Sequence, residues 1–236
     1  MADKLYRRGK EYRQLRQYDR AIEMFDAALR DNPHFVNAQI MRGVTQAEEG
    51  NHEQAILDYT KAIQMKPDSA VAFYDRAGEY FSKKDFEHAR RDYDQAIRLT
   101  PQDPDAWYGR GRAHFGLGEN ELAIRDFDEA LQIKPDYVEV LLARGLAYAH
   151  AGDYDRAIEN YSEAIRIRPT YASAFQDRAL VYLHKGRFAQ FAADRLRYLY
   201  LKAKFLSAVL VFMFFASVIF LGFMLRRLRQ QPTRTP

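Results

Sequence analysis

Residues 104–137 read PDAWYGRGRAHFGLGENELAIRDFDEALQIKPDY, and the same pattern returns on both sides of them. Five prolines, Pro33, Pro67, Pro101, Pro135 and Pro169, stand 34 residues apart. A fixed period of this length is the mark of stacked two-helix units. Units that end two residues after each proline are 2–35, 36–69, 70–103, 104–137 and 138–171. Their eighth positions are Gly9, Gly43, Ala77, Gly111 and Gly145, and their twentieth are Ala21, Ala55, Ala89, Ala123 and Ala157. Ala28, Ala62, Ala96, Ala130 and Ala164 fill the twenty-seventh position, and Phe25, Tyr59, Tyr93, Phe127 and Tyr161 the twenty-fourth. Small residues at fixed helical positions let two backbones approach, and an aromatic one turn away fills the seam. Gly118 and Gly152 mark the break between the paired helices. Each proline stops the second helix and biases its predecessor away from helical geometry.

Trp107, Gly111, Ala123, Phe127, Ala130 and Pro135, with their equivalents in the other units, make the chain resemble the tetratricopeptide repeat family. The resemblance covers residues 2 to 186. It implies an all-α fold, a right-handed solenoid of helix–turn–helix repeats used for protein recognition. Gln39, Gln46 and His114 depart from the pattern, standing where apolar or aromatic residues are usual. Phe175, Ala179, Tyr182 and Gly186 begin a partial sixth unit, 172–186. Phe191 and Arg195 then replace the expected alanine and aromatic, so 187–204 reads as a basic capping helix.

In this family the first helices line a concave face. The resemblance therefore implies a peptide-binding groove formed by Ile40, Met41, Val44, Tyr74, Phe81, Tyr108, Arg112, Phe115, Leu142 and Leu146. An aliphatic and aromatic groove with sparse charge suits a protein or peptide ligand with apolar or aromatic anchors. Some family members clamp a chaperone's terminal carboxylate with Lys and Asn. Here Tyr6 and Lys10 stand in the wrong slots, and Val71 and Asp75 replace the expected bases of the third unit.

Position seven is arginine in all six first helices: Arg8, Arg42, Arg76, Arg110, Arg144 and Arg178. Asp58, Asp92 and Asp126 recur at position twenty-three, whereas units one and five carry Met24 and Asn160 there. The pattern predicts an Arg–carboxylate pair tying the two helices of a unit.

No catalytic, cofactor or metal site is expected. The chain has no cysteine, which removes thiolate chemistry. It has no Gly-rich phosphate loop after a strand. Its six histidines are scattered; His150 and His184 share a repeat position but lack a third ligand. Asp26, Glu53, Asp94, Asp128 and Glu163 read as solvated second-helix faces.

From Lys185 onward ten Lys/Arg face one acid, Asp194, a net +9, so residues 1–184 carry −5 of the chain's +4. With the excess of basic charge gathered at one end and no basic patch on the repeats, nucleic acid is not the expected partner. Phe205 to Leu225 is an uncharged run of 21 residues, a helix about 31 Å long, matched to a bilayer core. Basic residues beside it suit anionic lipid head groups, and Tyr198 and Tyr200 suit the interface. The arrangement resembles a tail-anchored protein: a transmembrane helix at 205–225, a basic tail at 226–236, and repeats facing the cytosol. These readings converge on a membrane-anchored adaptor whose partners are a peptide and the lipid bilayer. The rival is a homo-oligomeric structural factor that organises, shapes or divides the membrane.

Overall fold

The computed structural model describes residues 1–204. The expected span at 205–225 and the tail at 226–236 lie outside the described residues. No helix among those described is long and apolar enough to cross a membrane.

The described chain is helical throughout, and no strand occurs among the described residues. First helices of the units are α1 (Ala2–Gln14), α3 (Val36–Glu49), α5 (Ala70–Ser82), α7 (Pro104–Gly116), α9 (Val138–His150) and α11 (Ala172–His184). Second helices are α2 (Tyr18–Asp31), α4 (His52–Met65), α6 (Phe86–Leu99), α8 (Asn120–Ile133), α10 (Tyr154–Ile167) and α12, over 188–204. The described residues divide into two compact units, 1–160 and 161–204.

In the first unit every helix packs on the next along the chain, and first helices of neighbouring repeats touch one another. The local signals are chemical. The Ser69 and Asp85 side chains accept hydrogen bonds from the N–H groups of Ala72 and His88, capping α5 and α6. Asp103 caps α7, whose first residue is Pro104, where no N–H is needed. The residues before the prolines, Asn32, Lys66, Thr100 and Lys134, lie at φ of −136°, −139°, −136° and −133°, which ends α2, α4, α6 and α8. Between paired helices position fifteen is left-handed in each repeat. Gly50, Gly118 and Gly152 hold it, while Arg16 (φ 56°) and Lys84 (φ 61°) adopt it at a steric cost.

The seams explain the small residues. A Cβ at Gly111 would come within 2.6 Å of the Phe127 ring, and one at Gly9 within 2.6 Å of Phe25. The twentieth- and twenty-seventh-position alanines are fully buried against these rings. Where Ala77 fills the eighth position, the Tyr93 ring lies instead against the next repeat, 2.4 Å from where a Cβ of Gly109 would stand. Burying each ring is worth about 2 kcal/mol.

In the second compact unit, α11 buries Ala174, Phe175, Ala179 and Val181. A helix, α12, begins at 188, in register with the earlier second helices. Asp194 of this helix is 6% exposed and accepts two hydrogen bonds from Arg178, Nε to Oδ2 at 2.8 Å and Nη2 to Oδ1 at 2.8 Å. The sixth repeat thus keeps the Arg–Asp contact of repeats two, three and four although Phe191 and Arg195 break its apolar pattern. On its other faces α12 exposes Leu196, Leu199 and Tyr200 beside its basic residues.

Candidate peptide-binding groove

The site rests on a polar framework that holds neighbouring repeats at a fixed offset. Arg76 donates to both oxygens of Asp92, sixteen residues on, and from Nη1 to the Thr60 hydroxyl at 2.9 Å, sixteen residues back. Arg110 bonds Asp126 ahead and Asp94 behind, and Arg42 bonds Asp58 ahead and Asp26 behind. Arg144 reaches Asn160 and Asp128 in the same way. The expected pair within a repeat is therefore half of the contact, because the fork of a guanidinium has donors for two directions. The reading of Asp26, Asp94 and Asp128 as solvated faces is corrected: each receives the arginine of the following repeat. Arg8 of α1 donates to the Tyr12 hydroxyl at 3.2 Å. Hydrogen bonding to Asp58 pushes the Arg42 guanidinium above its ordinary range.

Two of the three departures from the family pattern, Gln39 and His114, serve this framework. Gln39 is buried and its amide donates to Asp58 Oδ1 at 2.6 Å. His114 is buried with Nδ1 2.6 Å from Glu119 and Nε2 3.8 Å from Asp126.

On the first-helix face a cavity of about 780 Å³ opens between α3, α5 and α7. Val44, Tyr74, Phe81 and Arg112 line it, four of the ten expected groove residues. Arg112 lies 4.2 Å over the Phe81 ring and 5.5 Å from the Tyr108 ring, carrying the surface onward along α7. Farther along, Phe115 meets His150 edge-on at 5.1 Å, and Leu146 of α9 is exposed. Met41 and Leu142 are half-buried, Met41 against the core of α3 and α4. Ile40 is different. It is 6% exposed and packs within the core that holds Tyr59, so it belongs to the seam and offers a ligand nothing. Tyr74 is divided between the two roles, its ring 5.6 Å from Tyr93 in the core and its edge in the cavity. Burial pushes its hydroxyl up to about 12.

The cavity also holds carboxylates absent from the sequence-based groove: Glu48, Asp75 and Glu79. Glu48 is paired with Arg13 at 2.6 Å and Glu79 with His52 at 2.6 Å. Asp75, half-buried on α5, has no hydrogen bond or ion pair with the described residues. Burial pushes its carboxyl up to about 6, with the charge of Glu79 adding to the effect. The signal for it was visible in the sequence, as an acid in a slot where a carboxylate clamp requires a base. No group of three or more His, Asp or Glu among the described residues could hold a metal ion.

Models of the tetratricopeptide repeat match residues 6–70 and 74–138, and a TPR repeat model matches 147–186. The chain belongs to the tetratricopeptide repeat family. Its fold is similar to MamA, at 26% identity over 70% of this chain and 96% of that one, with a TM-score of 0.66. A tetratricopeptide repeat protein from Parabacteroides merdae ATCC 43184 aligns at 23% identity over 82% of this chain and 77% of its own, TM-score 0.73. YrrB, a TPR protein with an unusual peptide-binding site, aligns at 20% over 79% and 96%, TM-score 0.64. A curated relative, the UDP-N-acetylglucosamine–peptide N-acetylglucosaminyltransferase of Giardia intestinalis, is 41% identical over 59 residues. That match spans 25% of this chain and 4% of the transferase. Tetratricopeptide domains bind peptides or proteins and are typically scaffolds without catalysis.

Proposed function

We propose that the chain is an adaptor that holds a partner's peptide on the first-helix face while residues 205–225 fix it to a membrane. The observation that carries the recognition half is the cavity lined by Val44, Tyr74, Phe81 and Arg112, where aromatic walls stand open within a rigid framework. The anchoring half rests on the uncharged run at 205–225 and the bases on either side of it. The exposed Leu196, Leu199 and Tyr200 of α12 support it, since apolar side chains among bases suit a lipid interface. Anchoring would raise the local concentration of a captured partner without a new contact.

The test compares partner capture from detergent-solubilised membranes by the full chain and by a Phe81→Ala/Arg112→Ala variant. These two residues are preferable to Tyr74, whose loss would also open the core. A partner held by the first and lost by the second is the expected result. Equal capture would sink the groove reading. Release of the chain from membranes by alkaline carbonate would sink the anchor.

A further inference from the structure

We propose that the cavity between α3, α5 and α7 receives a lysine or arginine side chain of the partner peptide, seated on Asp75 between aromatic walls. This rests on the reading of the first-helix face as a peptide groove and names the anchor that the groove selects.

Four observations carry it. The acids at the cavity are not equivalent: Glu48 is paired with the Arg13 guanidinium and Glu79 with the His52 imidazole, at 2.6 Å each, whereas Asp75 has neither hydrogen bond nor ion pair among the described residues. A half-buried carboxylate without a partner is a standing cost. The walls beside it are Tyr59, Tyr74, Tyr93 and Phe81, an aromatic lining suited to a cation as it sheds water, and Phe81 already carries the Arg112 guanidinium at 4.2 Å. The charges of opposite sign, Lys84 and Arg112, are exposed at the rim, where water screens them. A side chain with an aliphatic stem and a cationic tip matches this order of surfaces: apolar through the walls, charged at the end. The acidic balance of residues 1–184, −5 of the chain's +4, favours such a partner over an acidic one.

Proton linkage gives the site a signature. A bound cation pulls Asp75 back toward the ordinary carboxylate range, so the complex tightens as pH rises through about 6. The other charged groups facing it are Glu48 of α3, Glu79 of α5, Lys84 of the α5–α6 turn and Arg112 of α7.

The experiment selects binders for the full-length chain in nanodiscs from a displayed library of random dodecapeptides. Synthetic copies are then measured by fluorescence anisotropy against the wild type, Asp75→Asn and Phe81→Ala. The expected peptides carry one Lys or Arg among apolar residues. Asp75→Asn, or replacement of that base by norleucine, should each weaken binding at least tenfold. Affinity should rise from about pH 5 to about pH 7.5 with wild type and stay level with Asp75→Asn. Peptides that lose affinity with Phe81→Ala but not with Asp75→Asn would overturn the basic anchor and leave the groove standing. Failure to select any peptide, or binders indifferent to both substitutions, would overturn both.

Discussion

Arg110 and Asp126 meet through two parallel hydrogen bonds, Nε to Oδ2 at 2.9 Å and Nη2 to Oδ1 at 2.7 Å, with the Asp126 side chain 6% exposed. The third contact of Arg110, Nη1 to Asp94 at 2.8 Å, crosses to the preceding repeat. One side chain therefore sets both the angle within a repeat and the offset between two of them.

Removing the acid should cost more than removing the pair. Asp126→Ala leaves a half-buried guanidinium short of its main partner, and should lower stability by about 2–4 kcal/mol. The Arg110→Met/Asp126→Leu double variant should recover at least half of that loss. Urea unfolding followed by circular dichroism checks both. A single variant within about 0.5 kcal/mol of wild type would show that the framework is ornamental.

The seam glycines should resist even one methyl group. Gly111→Ala places a Cβ 2.6 Å from the Phe127 ring and 3.2 Å from Asp126 Cβ. The ring must shift, at about 1–3 kcal/mol. Thermal unfolding should show a clear drop, with helicity retained below the transition.

Arg16 occupies a left-handed turn, φ 56°, where three other repeats of the first compact unit use glycine. Arg16→Gly should stabilise by about 1 kcal/mol, since the relieved strain exceeds the added freedom of the unfolded chain. An unchanged or lower denaturation midpoint would refute the strain.

Asp75 gives a pH dependence of definite sign. Its folded carboxyl is raised from 3.8 to about 6, so between those values the native state holds a proton the unfolded chain has released. Its contribution to stability is most favourable below about pH 4, falls as pH rises through about 6, and stays low above it. Asp75→Asn should therefore stabilise the free protein by about 1–3 kcal/mol at pH 7.5, and by little at pH 4. A residue whose removal stabilises the fold while weakening peptide binding is one kept for function. Parallel melting curves at the two pH values test this.

The cavity on the first-helix face was legible unevenly. Val44, Tyr74, Phe81 and Arg112 meet at one cavity as their repeat positions imply. Ile40 occupies an equivalent first-helix position yet closes the core beside Tyr59. A helix position determines a direction, but the neighbouring ring determines whether that direction ends in solvent. Asp75 was read as a missing base and not as a present acid, since its lack of a partner depends on Arg13 and His52 being taken up by Glu48 and Glu79.

The 34-residue register, the two helices of each repeat and their stops were determined by the sequence alone, through signals local to a few residues: pre-proline backbone, side-chain caps and alanines one or two turns apart. Such signals act before any distant contact forms. Only the tertiary structure decided the backward arms of the arginines, the partnership of Asp194 and the cavity around Asp75. Each depends on how far one repeat is offset from the next, a distance that packing sets and that no residue carries by itself.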